Sequence, residues 1–512
     1  MGMQRQVVRL APSGIVRDLP PDAVPENVFT SGNNVVFRDG VPVRVDGQQA
    51  VYGTPLHEPE FLINLRGPLV NYWVYPGRDA IGVLDGVSHD DITPTAGITP
   101  TQNYGEWTGG VLNGVVVLNE PYNNPLYWPG SPVDPCEELP GWPAGTKAKA
   151  LRPFKFHLIA MNITDQNGIF SDYIMWSDAA EPGAVPQSWT PLPENQAGFV
   201  SLAAGGGNIV DGIQLRDQFI IFKDSSTWAL QYVGGNTVFA VRKILETSGM
   251  LSPNCAVEIK GNLVVLTDSD VIAFDGQQAV SLIDKRMRQF LFSQLDPLAF
   301  KSSFVTKNWV ETEVWICIPT VGNTVPNMAL VWSREENAWG IRSINYSFAS
   351  AGLVAPTTGV QEWDTYPGTW EQASQIWDTS TYRVTSESIL GAEGLTLQNV
   401  DGATSDNGTP IIANIQKLGL ALGDPQTRKL IKRIWPRINA ATGTVLTIRA
   451  GGHDQPNGEV TWSAPVSFTV GTQDKIDTFA EGRYLAIDFA SSGLQGWQLT
   501  GFDVEFSTIG AW

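Results

Sequence analysis

The side chains in this sequence best suited to proton transfer or metal binding are four histidines, His57, His89, His157 and His453, and each stands alone. None falls in an HExxH or HxH spacing, the arrangements that aim two imidazoles at one metal, which argues against a zinc enzyme. His157 lies inside the apolar run KFHLIAMN and is expected to be a hydrogen-bonded core imidazole. Aspartates gather near turns (Asp211, Asp224, Asp268, Asp270, Asp275), and their oxygens suit calcium. No DxDxDG loop arises, so turn formation is their expected use. Gly205-Gly206-Gly207 lacks the lysine of a phosphate cradle, and no GxSxG elbow, Walker A loop or GxGxxG after a strand is present. Cys136, Cys255 and Cys317 are scattered without a CxxC spacing, which predicts buried, reduced thiols. A tryptophan-rich propeller glycosidase would need paired carboxylates and stacked sugar rings. The repeated Ser-x-Asp-x-Gly-x-Thr-Trp turn of sialidase-like propellers is absent, and the stretch Asp364 to Trp370 only brushes past it. The expectation is a protein with no catalytic residues, cofactor or metal, and not an enzyme.

The elements that would position any site must come from a large, turn-rich β protein. The chain has 512 residues, 42% of them apolar, with 51 glycines, 34 prolines and 18 tryptophans, a balance that predicts a globular chain of two or more domains. A formal charge of −19 argues against a nucleic-acid binder that works by general attraction to phosphate. The first ten residues lack the apolar core of a signal peptide, Gln6 stands where a myristoylation motif wants Ser or Thr, and no stretch has the length of a membrane span. The product is expected to be soluble where it is made.

The clearest local pattern lies between Asn208 and Lys285. Phe219-Ile220-Ile221-Phe222 and Leu263-Val264-Val265-Leu266 are each closed by a polar turn and followed by a second short run, Thr227 to Tyr232 and Val271 to Phe274, which reads as two successive hairpins. Asp39-Gly40 between Val35-Val36-Phe37 and Val41-Pro42-Val43 signals another. Strand cores centred on Tyr72, Val115, His157, Phe219, Leu263 and Val314 recur at steps of 43, 42, 62, 44 and 51 residues. Propeller blades of four strands take about 40 to 50 residues, so the steps favour a propeller over a sandwich, with an insertion in the third unit between Met161 and Trp189.

The pattern changes between Tyr346 and Gly408, where Trp363, Trp370 and Trp377 recur every seven residues. Pro367 and Gly368 break any coiled coil there, leaving aromatic anchors that pack within the chain or against a neighbouring subunit. A last block opens on the one basic run of this acidic chain, with Arg428, Lys429, Lys432 and Arg433 as candidates for docking or DNA contact, and with a solvated strand face as the alternative. Alternating strands then follow to the C-terminus. The expected fold is all-β: N-terminal strands or an arm over 1–50, contributing to a platform with the C-terminal block; a β-propeller-like domain over 51–345; a Trp-rich extended connection or tip over 346–409; and a C-terminal β-sandwich domain over 410–512.

The succession from Arg216 to Trp228, the segment from Gly249 to Cys255 and that from Leu263 to Ile283 resemble the central part of the tail nozzle (tail hub, or packaged-DNA stabilisation) proteins of short-tailed bacteriophages. Met175-Trp176-Ser177-Asp178, Glu313 to Pro319 and Leu330 to Trp339 resemble phage structural proteins of the same kind. The resemblance implies a virion tail protein, made in the host cytoplasm. It implies a homohexameric ring below the portal and head-to-tail adaptor proteins, docking tail fibres or spikes and passing genomic DNA through its lumen without sequence-specific binding. It carries no catalytic residues. An acidic chain suits such a conduit, because each phosphate contact would add affinity through counterion release. The alternative from another class is a receptor- or carbohydrate-binding tail protein. Within the best hairpin, Trp228 is predicted to be core, so Trp228→Ala should cost about 3–5 kcal/mol; an unchanged melting temperature would show that the strand faces the other way.

Overall fold

The computed structural model describes residues 3–9, 14–67, 70–204, 206–235, 238–354 and 386–511. Regular structure there is almost all strand, with one α-helix, Arg288–Gln294. The fold is all-β: a β-propeller-like domain and a β-sandwich joined along one continuous sheet.

Six antiparallel four-stranded units follow one another over 63–91, 108–138, 147–201, 209–245, 256–281 and 304–343. A seventh is assembled from Phe348–Val354, Ser386–Glu393, Thr396–Ala403 and, as its last strand, Gly47–Val51 from the other end of the chain. The first strand of each unit lies beside that of the next, and the seventh lies beside the first, so the described sheets close into a ring of seven blades. The strand from the distant end of the chain covers the edge of Thr396–Ala403 and ties the two ends of the ring together.

The six strand centres read from the sequence are the second strands of blades 1 to 6, and their visibility has a physical cause. A second strand is covered on both faces by the adjoining blades, so it is apolar without alternation: all six residues of Glu313–Ile318 are buried. By contrast, Ile476–Gly482 in the sandwich alternates buried and exposed residues throughout. Trp228 is 8% exposed and packs with Trp176, Phe219 and Phe239 between blades 3 and 4. The insertion in the third unit is the loop 177–197 between its last two strands. In blade 2 the Asn113-Gly114 turn takes φ values of 51° and 89°, and Asp39-Gly40 takes 51° and 75°, the left-handed pair that a two-residue hairpin requires.

One expectation about organisation is corrected. Residues 348–354 and 386–403 are not a connection but three strands of blade 7. They were hard to read because blade 7 uses small residues where its neighbours place large ones: a Cβ on Gly352 would meet Trp73 at 2.6 Å, and one on Gly391 would meet Tyr346 at 2.8 Å. The sandwich takes strands from the N-terminal stretch as well as from 410–512, in keeping with a platform shared between the two. Met3–Arg9 pairs with Trp497–Ala511, Ser31–Asn33 pairs with Ala413–Leu420, and the hairpin of Val35–Arg38 and Val41–Arg44 links blade 6 to the sandwich through Ile341↔Val35 and Val43↔Gln498. The N-terminal stretch thus serves both domains. Trp363, Trp370 and Trp377 lie outside the described residues.

A buried charge cluster locks this junction. Arg38 on the hairpin donates to Glu313 of blade 6 (2.8 Å) and Asp401 of blade 7 (3.3 Å), and also pairs with Asp46 (3.3 Å). Arg342 bonds Asp401 and the Asp46 carbonyl and lies 4.6 Å over the Trp315 ring. Burial works against the charge on Arg38, but Glu313 and Asp401 outweigh it and hold the guanidinium firmly protonated. Removing one partner of such a set strands the other in low dielectric, so Arg38→Ala should cost about 3–5 kcal/mol in chemical denaturation. Adding Glu313→Gln to Arg38→Ala should restore part of that loss; an equal or larger loss would show that the pair contributes packing rather than charge compensation.

Candidate functional site

Among the described residues, no three His, Cys, Asp or Glu side chains are grouped to hold a metal ion. The histidines are spread over the fold: His157 is fully buried and meets the Ser177 carbonyl at 2.9 Å, His57 meets that of Tyr75 at 3.1 Å, His89 lies between Tyr75 and the Tyr52 carbonyl, and His453 meets the Gln455 carbonyl at 2.5 Å. The three cysteines are buried and unpaired, and burial pushes the thiols of Cys136 and Cys255 up to about 12. No described helix is long and apolar enough to cross a membrane.

A cluster centred on one arginine joins the inner strands of the propeller. Arg152, on the first strand of blade 3, makes a two-pronged pair with Asp211 of blade 4 (2.9 and 2.5 Å), and donates to Asn254 before blade 5 (2.7 Å) and to the Gly109 carbonyl of blade 2 (2.9 Å). Asn254 completes the circuit by donating to Asp211 and the Trp107 carbonyl, each at 3.0 Å. Asp211 is therefore no turn residue; it stands on an inner strand, where its carboxylate faces the axis. A planar guanidinium held by acceptors from three blades ties their inner strands together beside a central cavity of about 280 Å³.

On the face where the inner strands begin, the axis opens into a cleft of about 370 Å³ contributed by blades 2 to 5 and the turn before blade 6. Beside it, Glu60 is 7% exposed and accepts a 2.8 Å hydrogen bond from Thr101. Burial, against the pull of that hydrogen bond, pushes its carboxyl up to about 7.

The basic run occupies the long strand Thr427–Ala440, between the acidic strands Ile476–Gly482 and Trp497–Ala511. Arg428 pairs with Asp454 (3.1 Å) and Glu481 (3.7 Å), and Arg433 with Asp477 (3.0 Å) and Glu505 (3.5 Å). Lys429 is buried, and its ammonium donates to the carbonyls of Asp424, Thr427 and Arg483, which removes it from the list of DNA or docking contacts. Lys432 alone of the four has no hydrogen bond or ion pair among the described residues. The run is a set of cross-strand charge pairs on one sheet, which a phosphate would have to break before binding.

No protein-family model matches this sequence, and no curated protein matches it. Two solved structures are similar at the level of fold. The WD40 β-propeller domain of Doa1 shares 8% identity over 69% of this chain and 96% of its own, with a TM-score of 0.36. PorZ, a surface component of the type-IX secretion system of Porphyromonas gingivalis, shares 9% identity over 82% of this chain and 46% of its own, with a TM-score of 0.37. The ring of seven sheets, and not these likenesses, carries the propeller assignment.

The raised Glu60 carboxyl carries a pH signature. Below its ordinary value of 4.5 it is protonated in both folded and unfolded chains; between 4.5 and about 7 only the unfolded chain ionises, so stability falls as pH rises; above that the full cost of the buried charge is present. Glu60→Gln should therefore raise the denaturation midpoint at pH 8 and leave it nearly unchanged at pH 4.5. A gain of the same size at both pH values would show that Glu60 titrates normally.

Proposed function

We propose that this chain is a structural protein of a short phage tail, one subunit of a ring-shaped nozzle below the portal and adaptor that retains and then conducts DNA and docks tail fibres or spikes. The observation that carries the reading is the two-lobed architecture taken with the sequence resemblance: both chain ends build the sandwich, and the propeller is an insertion joined to it along one rigid sheet. Such a subunit suits a ring whose sandwich lobes face one another and whose propellers project outward as docking platforms. In this reading the route for DNA is the hole between subunits.

Charge supports the same reading. The chain is strongly acidic and three of its four candidate DNA-contacting residues are already engaged, so a duplex would meet little that holds it. The sandwich also exposes Phe479 (64%) on the strand that pairs with the basic one, and Val7 (47%) beside the Asp503 pairs. Apolar side chains ringed by charge pairs are the ordinary make-up of a subunit contact.

Two measurements test this. Native mass spectrometry of the full chain, alone and mixed with portal and adaptor proteins, should give a closed homo-oligomer, and Phe479→Asp should lower its ring-to-monomer ratio at least tenfold. Electron microscopy of assembled tails should place the chain in a rotationally symmetric collar with clearance for a duplex. A lone trimeric spike at the periphery would overturn the proposal, and reproducible binding to one host polysaccharide on a glycan array would favour a receptor-binding protein instead.

A further inference from the structure

The cleft at the mouth of the propeller holds an imbalance of charge that its neighbours do not correct. Lys149 lies on the inner strand Lys147–Phe154, in the phase that alternates with buried Ala148 and Ala150, and so projects into the cleft. Lys301 reaches the same cleft from the short turn Phe300–Ser302, whose backbone is fixed against Gly105: a Cβ there would come within 2.2 Å of the Lys301 carbonyl. Neither ammonium has a hydrogen bond or ion pair among the described residues. Lys147, by contrast, donates to Asn124 at 2.6 Å.

Of the two acids of the cleft, Glu106 is engaged through both carboxylate oxygens and Asp224 through Oδ2 alone. Both oxygens of Glu106 are taken, by the backbone of Gln102 and Asn103 (2.9 and 3.1 Å), the Asn103 amide (3.0 Å) and the Tyr122 hydroxyl (3.1 Å). Asp224 accepts from the backbone and side chain of Asn208, at 3.0 and 3.4 Å. The cleft thus offers two ammonium groups without a partner among the described residues, in a recess with apolar walls from Pro121, Leu251 and Phe300.

We propose that this cleft is a binding site for a small ligand bearing a carboxylate or phosphate group, held between Lys149 and Lys301 with its uncharged part against the apolar wall. The electrostatics agree with the geometry: burial and then the charge of Lys301 lower the pKa of Lys149, with Asp224 and Glu106 opposing too weakly to restore it. A bound anion would oppose that shift and favour the charged ammonium. The site is separate from the proposed ring contacts on the sandwich and stands whether or not the chain forms a ring.

Calorimetry on the full chain at constant ionic strength, with D-glucuronate, glucose 6-phosphate, inorganic phosphate and neutral glucose as probes, tests the site. Glucuronate or one of the phosphates should bind, glucose should not, and the stronger of the two kinds identifies carboxylate or phosphate as the natural group. Lys149→Gln and Lys301→Gln, both at exposed positions, should each weaken binding at least tenfold while keeping the wild-type melting temperature without ligand; Lys432→Gln in the sandwich should leave binding unchanged. Equal binding of glucose, no binding of any anion at 10 millimolar (on the order of the weakest specific affinities), or wild-type affinity in both lysine variants would overturn the proposal.

Discussion

The hairpin of Val35–Arg38 and Val41–Arg44, with the strand Gly47–Val51 that follows it, is the constraint on which the rest of the structure depends. The strand supplies the last place in blade 7 and closes the ring, while the hairpin fuses the blade 6 sheet to the sandwich. Arg38 is where these demands meet, because its guanidinium reaches the hairpin's own Asp46, Glu313 of blade 6 and Asp401 of blade 7. Arg38 pairs with four acids, Asp46, Glu311, Glu313 and Asp401, and the five donors of its planar fork suit that set better than the three of a lysine ammonium. Glu313 is fully buried, so the cluster specifies how the elements dock as much as it adds stability.

The same logic recurs on the propeller axis, where Arg152 ties blades 2, 3, 4 and 5 through Asp211 and Asn254. The two clusters divide the interior between them, one at the hub and one at the rim. Both are closed sets in which donors and acceptors meet. That makes the propeller a rigid platform, and it moves any recognition to the surfaces the clusters do not reach: the outer face of the sandwich, where charges pair across strands, and the mouth of the channel, where Lys149 and Lys301 do not pair.

Much of the architecture was legible because blade packing writes itself into the sequence. Sandwiching a second strand between two neighbours makes it apolar on both faces, which is why Phe219 to Phe222 and Val314 to Ile318 stand out at a near-constant step. Blade 7 escaped for the converse reason, since its Gly352 and Gly391 make room for Trp73 and Tyr346 contributed by other segments. The split of the sandwich between both chain ends leaves no local sign either; strand pairs such as Gln6↔Val504 are formed across nearly the full length of the chain.

The sequence by itself determined the all-β class, the repeating hairpins, the position of the third-unit insertion and the buried character of Trp228 and His157, because each follows from local turn chemistry and from how apolar residues are spaced. Only the tertiary structure decided what the charged residues do. Asp211 looks like a turn aspartate until blade 3 places Arg152 opposite it; Arg428 and Arg433 look like a basic patch until two acidic strands flank them; Lys149 and Lys301, 152 positions apart in the chain, look like nothing until one cleft holds both. Burial of apolar side chains follows a pattern along the chain, but the worth of a charge depends on which other charges stand within a few ångströms, and those neighbours are chosen by the fold.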